Sequence, residues 1–251
     1  MISDPVIISA IVIAFALGGI LKGATGAGAP IITIPVIAAF YDVRVAVIIM
    51  VIPNFITNIG QLYQYRKTIL PLFFTSSFAL GGGLGAFLGT VLLVHLSIKI
   101  LTLSVATIVI IYIFLKLAVP SWKLNYSKAK KLVFLMGTGG GILQGSAGLS
   151  APISITFLNS MKLDRNQFIP TISVYFGMMS IFQMPTLYYY DFINLENVII
   201  SCVSTGILMT FMPLGSWIAK SVSKESFDKI TLVLLGFIAL RIIYLKDRKS
   251  V

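Results

Sequence analysis

A single lysine, Lys22, interrupts an otherwise uncharged, glycine-rich stretch, GGILKGATGAGAPI at 18–31. The stretch recurs 122 residues later as GGILQGSAGLSAPI at 140–153, with nine of the fourteen positions identical and Gln144 in place of Lys22. Glycines free the backbone to leave a helix, and Pro30 and Pro152 stand where a new helix can start, since a first-turn residue has no N–H bond to lose. A helix start carries unpaired N–H groups and a partial positive charge, which suits an anion. Thr25, Ser146 and Ser150 add hydroxyl donors, Gln144 adds an amide, and the Lys22 ammonium neutralises negative charge. Glycines of this kind also serve close helix packing, and a lysine also snorkels to an interface, so both readings stand beside the anion-binding one.

The surrounding sequence is that of a membrane protein. The 251-residue chain is 57% hydrophobic and 11% charged, with a net charge of +11 and a mean hydropathy of +0.98. A soluble domain carries about a quarter of its residues charged. The eight acidic residues all lie at the edges of apolar runs or between them, as a bilayer requires. The basic residues cluster in short linkers, as cytoplasmic loops do, so no nucleic-acid partner is expected. His95, Cys202 and the absence of intramembrane acids offer neither a nucleophile–base pair nor a metal-ligand set, so an enzyme is not expected. No cofactor and no nucleotide-binding loop is indicated. The expected partners are a small anionic substrate and the lipid bilayer, with a homodimer as the candidate assembly.

Apolar runs fall at 5–21, 31–40, 45–63, 70–93, 98–119, 132–149, 151–161, 168–188, 198–219 and 228–244. Eight approach the roughly 20 residues of a spanning helix; 31–40 and 151–161 do not, and read as half-length or re-entrant segments. The expected fold is an all-α, polytopic transmembrane helical bundle of two homologous repeats, 1–122 and 123–251. It has eight full spans and two short segments, up to ten in all. If the short runs cross, the second repeat is inverted, and charge bias favours that arrangement. Paired breaks in two such halves point to a substrate site near the midplane. Asn54, Asn58 and Gln61 lie along one face of the 45–63 helix, and Gln183 matches Gln61 in the other half. These amides serve either a cavity or helix–helix contact.

A G-x-x-G-x-x-x-P break in each half, followed in the first by the small-residue helix LGAFLGT at 84–90, resembles the sulfite exporter TauE/SafE family, also called the toluene-sulfonate uptake permease family. The resemblance spans residues 8–244. It implies seven or eight spans, localisation in the cell membrane, and transport of sulfite, sulfonates, sulfoacetate or related organic anions. It also implies a site at Gly23, Thr25, Gly26 and Pro30 with Gly145, Ser146, Gly148 and Pro152. The sequence thus leads to a secondary transporter for a small sulfur-containing oxyanion working by alternating access, with an anion channel or a non-transporting scaffold as alternatives.

Overall fold

The structure is a computed structural model that describes residues 4–118 and 122–221. The apolar run 228–244 lies outside them. Among the described residues nine α-helices follow in chain order: α1 Pro5–Thr25, α2 Ala29–Phe40, α3 Val43–Tyr65, α4 Leu72–His95, α5 Ile98–Ala118, α6 Tyr126–Ala147, α7 Ser154–Ser160, α8 Arg165–Tyr189 and α9 Leu195–Ser221. Helix starts are set by local chemistry. The Asp4 carboxylate accepts from Val6 N at 2.9 Å, Asp42 from Arg44 N at 3.0 Å, and the Asn125 amide oxygen from Lys128 N at 2.9 Å, each replacing a bond that the first turn lacks.

Seven of these helices have 21 to 27 residues, enough to cross a hydrocarbon core of about 30 Å. Five of them, α1, α3, α4, α5 and α9, are also apolar enough to span. Helices α6 and α8 are as long but more polar, and both pack along α4, with α8 also against α3. The short segments are short helices: α2 has 12 residues and α7 has 7, about 18 and 10 Å.

The packing crosses the boundary between the two sequence halves. Helix α4 lies along α6, α1 along α9, and α3 along α8. The 122-residue offset matches α1 with α6, α3 with α8 and α4 with α9, so the α1–α9 contact is the counterpart of α6–α4. Glycines make both contacts possible. A Cβ on Gly85 would collide with the Thr138 carbonyl, one on Gly141 with the Gly82 carbonyl, and one on Gly215 with the Ile20 carbonyl. Backbones come this close only where side chains are missing.

Contacts between helix ends give the direction of each helix. Thr68, just past α3, donates to the Asn166 carbonyl at the start of α8. His95, at the end of α4, sits edge-on to Tyr190, at the end of α8, with centroids 5.6 Å apart. Tyr126 at the start of α6 lies 5.6 Å from Phe74 at the start of α4, and Leu124 N donates to Ser160 O at the end of α7. Arg165, at the start of α8, and Ser216, near the end of α9, both donate to the Gly23 carbonyl in the last turn of α1. So α1 ends on the face where α6 begins, α3 ends where α8 begins, and α4 starts where α9 ends. Helices matched by the offset run in opposite directions.

Charge separates along the same axis. The face with Lys67 also carries Arg66, Lys123, Lys128, Lys130, Lys131, Lys162, Arg165 and Lys220 beside one acid, Asp164, whereas the face with Asp42 carries Arg44 and Lys99 beside Asp4, Asp191 and Glu196. Arg44 is committed to structure: its Nε and Nη2 donate to the Leu93, Val94 and Leu96 carbonyls at the end of α4.

Candidate functional site

Lys22 lies in the last turn of α1, not within the break that follows it. Its side chain is 1% exposed. Nζ donates to Asn58 Oδ1 at 2.9 Å and lies 5.8 Å from the centre of the Phe176 ring. Asn58 is held in turn: its Nδ2 donates to Asn54 O at 2.6 Å and to Asn54 Oδ1 at 3.0 Å. Gln61 Nε2 approaches the Lys22 carbonyl at 3.4 Å. Asn54, Asn58 and Gln61 therefore do share one face of α3, and that face meets the end of α1. Asn58 stands seven residues from the end of α3, about 10 Å in from the Lys67 face, and Phe176 eleven residues into α8, about 16 Å in from it. The ammonium is thus about 10–16 Å in from the Lys67 face, nearer to it than to the Asp42 face. Among the described residues no acid pairs with it, and a buried charge without a counterion is costly enough to call for a function.

The breaks are built by positive-φ glycines. Gly26 (φ 84°) ends α1 and Gly28 (φ 98°) precedes α2; Gly148 (φ 72°) ends α6. Gly26 N and Gly148 N return to the Lys22 and Gln144 carbonyls at 2.7 and 2.8 Å. Pro30 lies in the first turn of α2, while Pro152 lies in a turn just before α7, where Ser154 N already bonds Ser150 O at 2.9 Å. Alanine at Gly26 or Gly148 should cost about 1–2 kcal/mol through the left-handed backbone alone. A Cβ at Gly26 would in addition strike Ile169, and one at Gly148 would sit 2.8 Å from Ile34. Thermal unfolding in detergent reads this directly.

The two breaks do not face each other at the midplane. Gly26 abuts Ile169, four residues into α8 from the Lys67 face, and Gly148 abuts Val47, four residues into α3 from the Asp42 face. With α3 about 34 Å long, this leaves about 20 Å between the breaks along the bundle axis. The reason is the opposite course of α1 and α6, which carries the end of α1 toward one face and the end of α6 toward the other. Gly23 and Gly145 are packing glycines: a Cβ on either would meet a carbonyl of α9 (Met212) or α4 (Ala86). The hydroxyls serve locally. Thr25 Oγ1 donates within 2.9 Å of Leu21 O and Ala27 O, Ser146 Oγ donates to Ile142 O at 2.7 Å, and Ser150 Oγ accepts from Ser154 Oγ at 2.9 Å.

A family model for the sulfite exporter TauE/SafE matches residues 10–242. The chain belongs to the sulfite exporter TauE/SafE family. It is therefore a multi-pass membrane protein of a transporter family. No curated protein and no solved structure matches it. In this TauE/SafE member the buried polar atoms left without a hydrogen bond, among the described residues, are Gln61 Oε1, Gln144 Oε1, Gln183 Nε2, Ser173 Oγ and Arg165 Nε. Three belong to side chains singled out from the sequence, and unpaired buried groups of this kind each cost about 1–3 kcal/mol. Gln144 and Gln183 are 4% and 2% exposed, and no bond joins either to the Lys22 cluster.

Two groups were invisible in the sequence as parts of this region. Phe176 sits over the ammonium, and Arg165 Nη2 donates to Gly23 O at 2.8 Å across 142 residues of chain. Arg165 reads in sequence as one member of a charged turn, Lys162-Leu163-Asp164-Arg165; only the antiparallel course of α1 and α8 brings it to the first break.

Proposed function

We propose that this protein is a secondary carrier of a small sulfur-containing oxyanion, sulfite or a sulfonate, working by alternating access around the Lys22 ammonium. The observation that carries the proposal is the buried Lys22, held by one amide oxygen of Asn58 with no acid beside it among the described residues. A single uncompensated cation fits a monoanion. Asn54, Asn58 and the unpaired Gln61 oxygen would meet the rest of the ligand, including the O–H of a protonated oxyanion.

On this reading the chain is a duplicated, inverted repeat, and each break acts as a hinge at its own face. Gly26 is closed over by Ile169 near the Lys67 face, and Gly148 by Ile34 and Val47 near the Asp42 face. Moving one plug at a time would expose the ammonium to one side only. The excess of lysine and arginine makes the Lys67 face cytoplasmic, in a cell membrane. Counterflow in proteoliposomes tests the carrier. Unlabelled sulfite inside should accelerate uptake of labelled sulfite severalfold. Uptake that rises linearly with concentration and ignores internal sulfite would instead describe a channel.

A further inference from the structure

We infer that the Lys67 face carries a second oxyanion site, a shallow cationic mouth formed by Lys67 and Arg165, which concentrates anions before they reach Lys22. This rests on the transport reading for its purpose but not for its geometry. A cavity of about 660 Å³ is lined by Lys67, Thr68, Ile69, Asp164, Arg165, Asn166 and Gln167. The cavity sits where the segment after α3 meets the start of α8, tied together by Thr68 donating to the Asn166 carbonyl.

Arg165 has donor capacity left over. A guanidinium carries five N–H donors in a planar fork. Here Nη2 goes to the Gly23 carbonyl, while the buried Nε has no partner. The nearby acid does not use it. The Asp164 side chain is exposed and accepts no bond from the first turn of α8, and among the described residues neither Lys67 nor Arg165 makes an ion pair. Two cations against one carboxylate leave the cavity net positive. The first turn of a 25-residue helix, uncapped by its own aspartate, adds partial positive charge at the same place. An oxyanion with two oxygens in one plane would take two N–H groups of the Arg165 fork together once the guanidinium turns its buried Nε toward the cavity, a recognition that lysine alone cannot offer.

The placement gives the cavity a role. Arg165 grips the carbonyl of Gly23, the residue next to Lys22 in the last turn of α1. An anion held by Arg165 thus lies at the outer end of the turn whose inner side chain is the buried ammonium. An anion that competes for the guanidinium would also loosen its hold on Gly23, beside the Gly26 hinge.

The test uses the full chain, inserted in one orientation into proteoliposomes, with labelled sulfite as the probe. Lys67→Gln, Arg165→Gln and the double variant are compared with wild type from each face. The double variant should raise half-saturation at the Lys67 face about tenfold, and the rise should exceed any fall in maximal rate, as expected for lost electrostatic capture. Half-saturation at the opposite face should not move, and the ionic-strength dependence at the Lys67 face should flatten. Arg165→Lys should recover part of the loss. An equal rise at both faces would show that Arg165 only braces α1 against α8. No rise with Lys67→Gln, a residue outside the packed core, would also overturn the site. If wild type moves no sulfite, the carrier reading fails, and the mouth is then judged by equilibrium binding of sulfite to purified protein: loss in the double variant supports it, and retention refutes it.

Discussion

Replacing Lys22 with glutamine is expected to reduce saturable sulfite uptake by about a hundredfold while leaving the folded protein at least as stable as wild type. Loss of one buried, charge-assisted contact to a ligand costs about 2–5 kcal/mol, which sets that factor. Stability should move the other way, because the ammonium is 1% exposed and rests on one amide oxygen at 2.9 Å. Removing a buried charge that lacks a counterion relieves a desolvation cost that the Coulombic contacts do not repay. A structural lysine would give the reverse pattern: a lower unfolding midpoint with uptake lost only in proportion to misfolded protein. Uptake and thermal midpoint must therefore be measured on the same preparations.

The largest expected effect on folding is at the α4–α6 contact. Gly85→Leu or Gly141→Leu should prevent recovery of folded protein in detergent, because the new side chain would meet backbone, the Thr138 carbonyl in one case and the Gly82 carbonyl in the other. Backbone cannot yield as a flexible side-chain tip can, so the helices must part along their whole contact. A cost of several kcal/mol, beyond the 1–3 kcal/mol typical of overpacking, follows. Glycines with open surroundings are the control. A Cβ on Gly60, Gly177 or Gly206 meets nothing within 4 Å, and alanine there should stabilise the helix by up to about 1 kcal/mol. Size-exclusion profiles and yields would separate the two groups. If all five variants behaved alike, the glycine-mediated packing would be wrong.

Much of the fold was legible because bilayer physics writes it into composition. The absence of acids from the apolar runs announced spanning helices, and the short runs after each glycine-rich stretch announced the short helices α2 and α7. The 122-residue offset between the two glycine-rich stretches placed the breaks. Charge bias in the loops favoured opposite directions for matched helices, but it did not say which residues meet. Two breaks that look like facing cradles in sequence lie toward opposite faces, since Gly26 finds Ile169 and Gly148 finds Val47. Gly23 and Gly145 look like part of an anion site because they recur with the breaks; in the structure each lies where its helix meets the backbone of a partner helix. The spacing of Asn54, Asn58 and Gln61 on α3 was readable from helical periodicity. That Lys22 would reach Asn58 was not, and neither was Arg165, whose partner lies 142 residues away.

In the proposed carrier Lys22 is the charge that receives the anion. The most direct measurement is a cryo-EM map of the full chain with sulfite at saturating concentration. Density is expected against Lys22 Nζ, between Asn54, Asn58 and the Phe176 ring, with the ammonium turned from Asn58 toward the ligand. A map with lysine still seated on Asn58 and sulfite bound only beside Gln144 and Gly148 would contradict it.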